Sequence, residues 1–251
     1  MMNPEFYSTV ATRFGGYDSG AKRTEVFPNG DPEAAFDRAV AELGGAGGQL
    51  LDVGCADGRN LLRIAPSFER VLGIDLAPEM LVSAERHRSA AEAENVEFAV
   101  GDAAATGLPA DHFDVITSRR GPLHLDEFRR VLKPGGSLVY LGIGEQDARE
   151  LKEIFGRGQL YRRWEGAPVS WEVRERLVAV GFAVVRDERF DYEEFFHSPA
   201  ELDVFLQMVP IFEDYDPVVD KESFDRYVAA ASSDRGVRLA RHWFLMHARK
   251  G

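Results

Sequence analysis

The chain reads as an α/β fold, a mostly parallel sheet with helices on both faces. Three observations predict it. Short apolar runs of strand length alternate with amphipathic segments of helix length along most of the chain. The stretch LLDVGCADGRN, Leu50 to Asn60, turns from one such run through glycines into a helix. Three acids, Asp52, Asp75 and Asp102, stand where successive strands end. Strands separated by helices require right-handed crossovers, and therefore parallel neighbours in a sheet covered on both sides.

Residues 1–30 mix aromatic residues with Gly, Pro and Asn and are expected to form a loop-rich N-terminal arm. Phe6, Tyr7, Arg13 and Tyr17 in the arm are candidates to close over a ligand, with packing of a terminal segment the plainer role. Asp31-Pro32 supplies an N-cap and a first-turn proline, and AAFDRAVAEL carries that helix to Leu43, where Gly44-Gly45 stops it. Strands follow at Gln49 to Val53, Glu69 to Asp75, Val96 to Val100, Phe113 to Ser118 and Ser137 to Gly142. Helices fall between them at Arg59 to Ala65, Pro78 to Glu92 and Leu123 to Leu132, the last ended by Lys133-Pro134-Gly135-Gly136. A helix from about Ser170 to Val180 and a strand from Phe182 to Phe190 extend the pattern. The last strand, Val237 to Ala248, suits an edge or near-edge position. Between these two strands lies a detour too long for a hairpin, residues 193–234. It is read as a helical insertion over one end of the sheet, a lid covering the substrate site.

A chain of 251 residues accommodates one large α/β domain with elaborations, and 1–251 is read as that single domain. Apolar content of 45% and charged content of 29% fit a folded globular protein. Against 30 basic residues stand 42 acidic ones, a net charge of −12 that repels phosphate backbones and disfavours a nucleic-acid partner. Cys55 is the only cysteine, which excludes an intrachain disulfide and a thiolate zinc ribbon and suits a reducing compartment. The N-terminus has no apolar core of signal-peptide length, and no apolar run approaches the roughly 20 residues of a membrane span. A cytoplasmic protein without membrane partners is expected.

Which ligand the glycine turn serves follows by elimination. A phosphate-binding loop needs Gly-Lys-Ser/Thr, but Arg59, Asn60 and Leu61 follow Gly58. A dinucleotide turn needs Gly-x-Gly-x-x-Gly, but the chain offers Gly54-x-Ala56-x-Gly58, with anionic Asp57 where a pyrophosphate would lie. The acids suit a ligand without phosphate. Asp52 can hold a cationic α-amino group, Asp75 both hydroxyls of a ribose, and Asp102 an adenine amine, all at carboxyl ends of strands, where open α/β sheets bind ligands. That combination describes S-adenosylmethionine. Each acid alone has a structural use as a cap; three at successive strand ends favour a shared ligand.

The stretches LLDVGCADG, VLGIDLAPEM, VEFAVGDAAATGLP, HFDVITS and EFRRVLKPGGSLVYLG, in this order over about Leu50 to Gly142, resemble the class I S-adenosylmethionine-dependent methyltransferases. The resemblance implies a Rossmann-like three-layer sandwich whose seven-stranded, mostly parallel sheet has an antiparallel last strand. It implies that Asp52, Gly54, Cys55, Ala56 and Gly58 shape the methionine end of the site. By the same motifs Asp75 and Leu76 hold the ribose, Asp102 and Ala103 flank the adenine, and Ser118 closes the site. Ala56 replaces the family's usual middle glycine, and Asp57 a common Thr or Ser; the added methyl leaves less room for backbone approach.

Methyl transfer from a sulfonium is an in-line displacement with a good leaving group. Alignment and desolvation are therefore much of the protein's task, and a base is needed only where the nucleophile must lose a proton. In this family the segment SRRGPLHLDEF, Ser118 to Phe128, faces the transferred methyl. Arg119 and Arg120 are candidates to bind an acidic group of the acceptor, and His124 to act as a base. Pairing of Arg120 with a surface acid and packing of His124 at a helix start are the structural alternatives. LYRRW, Leu160 to Trp164, interleaves basic and aromatic residues as single-stranded RNA grooves do, yet equally suits an amphipathic connector. No metal site is expected, since His242 and His247 face opposite sides of one strand and His112 and His197 lack ligand neighbours. The leading expectation is methyl transfer from S-adenosylmethionine to a small organic acceptor. Alternatives are an RNA methyltransferase, which predicts a basic stripe, and a non-catalytic S-adenosylmethionine-binding protein.

Overall fold

Successive residues of a strand point to opposite faces, and Gln49–Val53 (β2) shows the consequence. Leu50 enters one core and Leu51 the other, both with 0% exposure. A strand buried on both sides needs a helix layer on each. The computed structural model, which describes residues 4–14, 20–45 and 47–251, supplies both layers. Tyr17 lies outside the described residues.

After α1 (Pro4–Phe14) and β1 (Arg23–Val26), the chain runs through α2 (Pro32–Ala41), β2, α3 (Arg59–Ile64), β3 (Arg70–Asp75), α4 (Pro78–Ala90) and β4 (Val96–Val100). It continues through β5 (Phe113–Arg119), α5 (Leu125–Val131), β6 (Leu132–Ile143), α6 (Arg149–Phe155), α7 (Val169–Ala179) and β7 (Phe182–Phe196). It ends with α8 (Pro199–Met208), α9 (Lys221–Ala231), the short β8 (Ser232–Ser233) and β9 (Gly236–Lys250). The sheet order is β1-β7-β9-β6-β5-β2-β3-β4, with β8 paired to β9. From β6 to β4 every neighbouring pair is parallel, as the crossovers require. One face is covered by Phe36 and Val40 of α2 and Leu61 and Ile64 of α3. The other is covered by Phe128 and Val131 of α5 and Val173 and Leu177 of α7. This is the three-layer, Rossmann-like sandwich.

β9 runs antiparallel to both its neighbours, β6 and β7. It sits between them instead of at the sheet edge, and its apolar residues feed both cores: Phe244 one, Leu245 the other. The seven expected strands gain two more, β8 and β1, giving nine. β1 comes from the arm read as loop-rich and pairs antiparallel with the outer part of β7. α1 comes from the same arm. Its Val10 and Ala11 pack on Ala77 and Met80 beside α4 and on Met208 of α8.

The insertion is helical, but it begins later than 193, because β7 continues to Phe196. Its helices α8 and α9 form a further core with Leu151 of α6 and with Phe196, Val237 and Leu239 of the sheet. Ser198 caps α8 by accepting from the Glu201 amide at 3.3 Å. No described helix is long and apolar enough to cross a membrane.

Candidate active site

β2 lies between β3 and β5, so its C-terminal tip is flanked by theirs. The turn leaving it is hooked to β3: the Gly54 and Cys55 amides donate to the Ile74 carbonyl at 2.8 and 3.1 Å. Gly58 caps α3 at φ 73°, where a Cβ would come within 2.5 Å of Phe98. Two residues earlier Ala56 occupies the left-handed region at φ 48°, a conformation that glycine adopts freely and alanine does not. Asp75 at the tip of β3 steadies the loop. Its two carboxylate oxygens accept from the Ala56 and Ala77 amides, each at 2.9 Å.

Asp52 is 8% exposed and accepts from the Thr117 hydroxyl of β5 at 2.7 Å. Burial pushes its carboxyl up to about 6, with the Asp75 charge adding to the rise and Thr117 and Arg119 opposing it. Burial raises Asp75 as well, against its backbone donors. The buried Cys55 thiol is raised by burial and then by the neighbouring acids, so it behaves as a packed apolar group and not as a nucleophile.

These residues line a cavity of about 330 Å³, formed by Asp52, Asp75, the turn Gly54–Asp57, and Arg119 and Arg120 at the end of β5. Two carboxylates with no direct ion pair among the described residues line one hollow and suit a cationic ligand. The other predicted positions sit around it. Leu76 is 48% exposed beside Asp75. Asp102 is exposed two residues beyond the end of β4, with its carboxylate accepting from the Ala104 amide at 2.8 Å. Ala103 is buried in the core below. Ser118 is fully buried and donates to the Pro122 carbonyl at 2.7 Å, so it shapes the loop after β5 from behind.

Arg119 and Arg120 are both held by α2. Arg119 pairs with Glu33 and, at 2.5 Å, with Asp37, and its guanidinium stacks 4.2 Å from the centre of the Phe36 ring. Arg120 pairs with Glu33 and stacks 4.4 Å from Trp243. Burial alone would raise Glu33; the two arginines outweigh it and hold the carboxyl at about 2. Their charges are therefore already answered by protein acids. His124 is exposed and lines a separate depression with Glu127 and Arg176, apart from the cavity. The structure does not bring it to the other site residues.

A second cavity of about 270 Å³ adjoins the first; Tyr7, Asn60 and Arg120 line both. Its walls include Arg23, Glu25, Tyr192, Glu194, Arg241 and Trp243, with Phe205 and Met208 of the insertion. None of Glu25, Glu194 or Arg241 forms a motif, and they lie far apart in the chain, so no signal in the sequence marks them as one site. Asn60 carried a weak signal, its place at the start of the helix after the glycine turn.

A family model described as a methyltransferase domain matches residues 50–136, the segment that builds the first cavity. Over that segment the chain is similar to the class I S-adenosylmethionine-dependent methyltransferases. It is 27% identical over 177 residues to a malonyl-[acyl-carrier protein] O-methyltransferase of Paenibacillus, a match covering 61% of this chain and 62% of that protein. It is 39% identical over 101 residues to phosphoethanolamine N-methyltransferase 3 of Arabidopsis thaliana, covering 37% of this chain and 20% of the relative. The chain thus aligns with less than two thirds of either relative. In fold it is similar to the YcgJ protein of Bacillus subtilis, with TM-score 0.62 and 18% identity over 87% of this chain and 97% of that one. The sheet is parallel from β6 to β4, and its pairs from β6 through β9 and β7 to β1 are antiparallel.

Proposed function

We propose that the protein transfers the methyl group of S-adenosylmethionine to a small organic acceptor. The observation that carries this reading is the pair of adjoining cavities sharing Tyr7, Asn60 and Arg120, one with strand-tip carboxylates and one with aromatic and charged walls. When bound, S-adenosylmethionine supplies an electrophilic methyl on a cationic sulfur, open to in-line displacement. The residues of the first cavity fit that molecule. In this reading Asp52 meets the ammonium, and the Asp75 carboxylate, already oriented by the Ala56 and Ala77 amides, accepts from the ribose hydroxyls. Arg120, stacked on Trp243, forms part of the wall between the two cavities. α1 and the insertion helix α8 meet over the same region and restrict water there.

The basic and aromatic segment 160–164 does not favour an RNA substrate. Arg162 pairs with Glu165 at 2.9 Å and Arg163 pairs with Glu172, so the stretch offers no excess of positive charge. One relative is named for O-methylation of a malonyl group on an acyl-carrier protein, the other for N-methylation of phosphoethanolamine.

Calorimetric titration with S-adenosylhomocysteine, followed by transfer of labelled methyl to a panel of small acceptors, tests the reading. Asp75→Ala removes charge-assisted hydrogen bonds worth roughly 1.5–3 kcal/mol each and should weaken binding at least tenfold. A folded Asp75→Ala protein with unchanged affinity would show that the ribose is held elsewhere.

A further inference from the structure

Resting on the 270 Å³ cavity as the acceptor site, we propose that the Glu25–Glu194 pair in its wall selects an acceptor bearing an ammonium group. Glu25 of β1 and Glu194 of β7 are register partners in an antiparallel pair, so their side chains leave the same face of the sheet. Like charges directly opposite one another repel unless a cation lies between them. Arg23 is that cation: its Nε is 2.8 Å from one Glu194 oxygen and 3.2 Å from one Glu25 oxygen.

The two acids are unequally served. Glu194 is 2% exposed, and its second oxygen accepts from Arg241 Nη1 at 2.6 Å, so a guanidinium meets each of its oxygens. Glu25 has only its share of Arg23 as a cationic partner, and its carboxyl also hydrogen-bonds with that of Glu194. Burial raises the Glu25 carboxyl, Arg23 opposes the rise, and Glu194 adds to it. A carboxyl that shares one guanidinium with a second acid in a cavity wall is the point at which an incoming cation gains most.

The remaining wall decides the sign of the ligand. Its described cations are Arg23, Arg120 and Arg241. Arg120 is paired with Glu33, and Arg241 with Glu194 and, at 2.9 Å, with Asp147. An acceptor carboxylate would have to displace a protein acid from one of these guanidiniums. It would do so facing Glu25, Asp31, Glu33 and Glu194. An ammonium meets no such competitor at Glu25. Phe27 and Tyr192, with ring centres 5.1 Å apart, and Phe205 offer apolar area for the carbon skeleton beside it.

Two aromatic probes of matched size and opposite charge, 2-phenylethylammonium and phenylacetate, test the inference by calorimetry on the full chain saturated with S-adenosylhomocysteine. The ammonium is expected to bind at least about tenfold more tightly, the discrimination one well-placed charge pair provides. Glu25→Gln, isosteric and at a part-exposed edge position, should reduce that preference to below about threefold, whereas Glu25→Asp should keep most of it. Equal or tighter binding of phenylacetate, no detectable binding of the ammonium, or an unchanged preference in Glu25→Gln overturns the proposal. The saturating ligand separates the two readings. Failure to bind S-adenosylhomocysteine defeats the methyltransferase reading, whereas binding it while preferring phenylacetate defeats only the ammonium site.

Discussion

Burial pushes the Asp52 carboxyl up to about 6, so the proposed binding of S-adenosylmethionine at the first cavity should depend on pH. Only the ionised carboxylate attracts an ammonium. With a pKa pushed up to about 6, the carboxylate is almost wholly ionised at pH 7.5 and only about one tenth ionised at pH 5. Affinity for S-adenosylhomocysteine should therefore fall about tenfold between those pH values, and Asp52→Asn should bind weakly with little pH dependence. Titration calorimetry at both pH values checks the pair of outcomes; a flat wild-type profile would remove Asp52 from the ammonium contact. Ala56 illustrates a different residue-scale effect. It is held at φ 48° by the Asp75 carboxylate on its amide, so the loop carries the left-handed strain of a non-glycine residue. Ala56→Gly should raise stability by up to about 1 kcal/mol, because relief of strain exceeds the added chain entropy of glycine. Denaturant unfolding reads the sign.

At the scale of elements, α2 connects the two cavities. Asp31 caps it by accepting from the Glu33 and Ala34 amides at 2.8 and 3.2 Å, so the first turn that carries Glu33 is fixed by its own cap. The same helix presents Asp37 and Phe36 to Arg119. Asp31→Ala should cost about 1 kcal/mol, a drop in Tm of about 2–4 °C for a domain of this size. A thermal scan showing no change would mean that Pro32 and the packing of Phe36 alone define the helix start. The cap was legible in Asp31-Pro32. That α2 neutralises both arginines after β5 was not, because the two segments are more than 80 residues apart. The arm was misread for a related reason. Phe6, Tyr7, Val10, Ala11 and Phe14 do recur at helical spacing, but α1 has a surface to cover only once α4 and α8 have come together. β1 in turn exists because the outer half of β7 offers it an edge.

Over the whole molecule, a buried ionic chain joins the sheet to α6 and the turn before it. Arg241 of β9 is 7% exposed and bridges Asp147 at 2.9 Å to Glu194 at 2.6 Å; Asp147 also accepts from the Trp243 indole at 3.1 Å. Beneath it Lys152 is fully buried and donates to the Asp147 carbonyl. Burial lowers Lys152 to about 8, with Asp147 holding it up and Arg241 adding to the fall. Removing one member of such a chain strands the others in a medium of low polarity. Arg241→Leu should thus destabilise the protein by about 3–5 kcal/mol, measured by denaturant unfolding. A loss below 1 kcal/mol would show that water reaches Asp147 and Glu194 once the guanidinium is gone.

The alternation of strand and helix, the glycine turn and the acids at the strand ends are local properties. They depend on residues close together in the chain, and the sequence alone determined them: the parallel sheet, the glycine turn between β2 and α3, and the strand-tip acids that line the first cavity. The second cavity was decided only by tertiary structure. β7 was expected to end at Phe190, with the insertion beginning at Glu193. It runs on to Phe196 because Arg23 and Arg241, arriving from the two strands on either side, neutralise Glu194 in the core. Whether a buried charge is tolerated depends on a partner that folding brings from elsewhere in the chain.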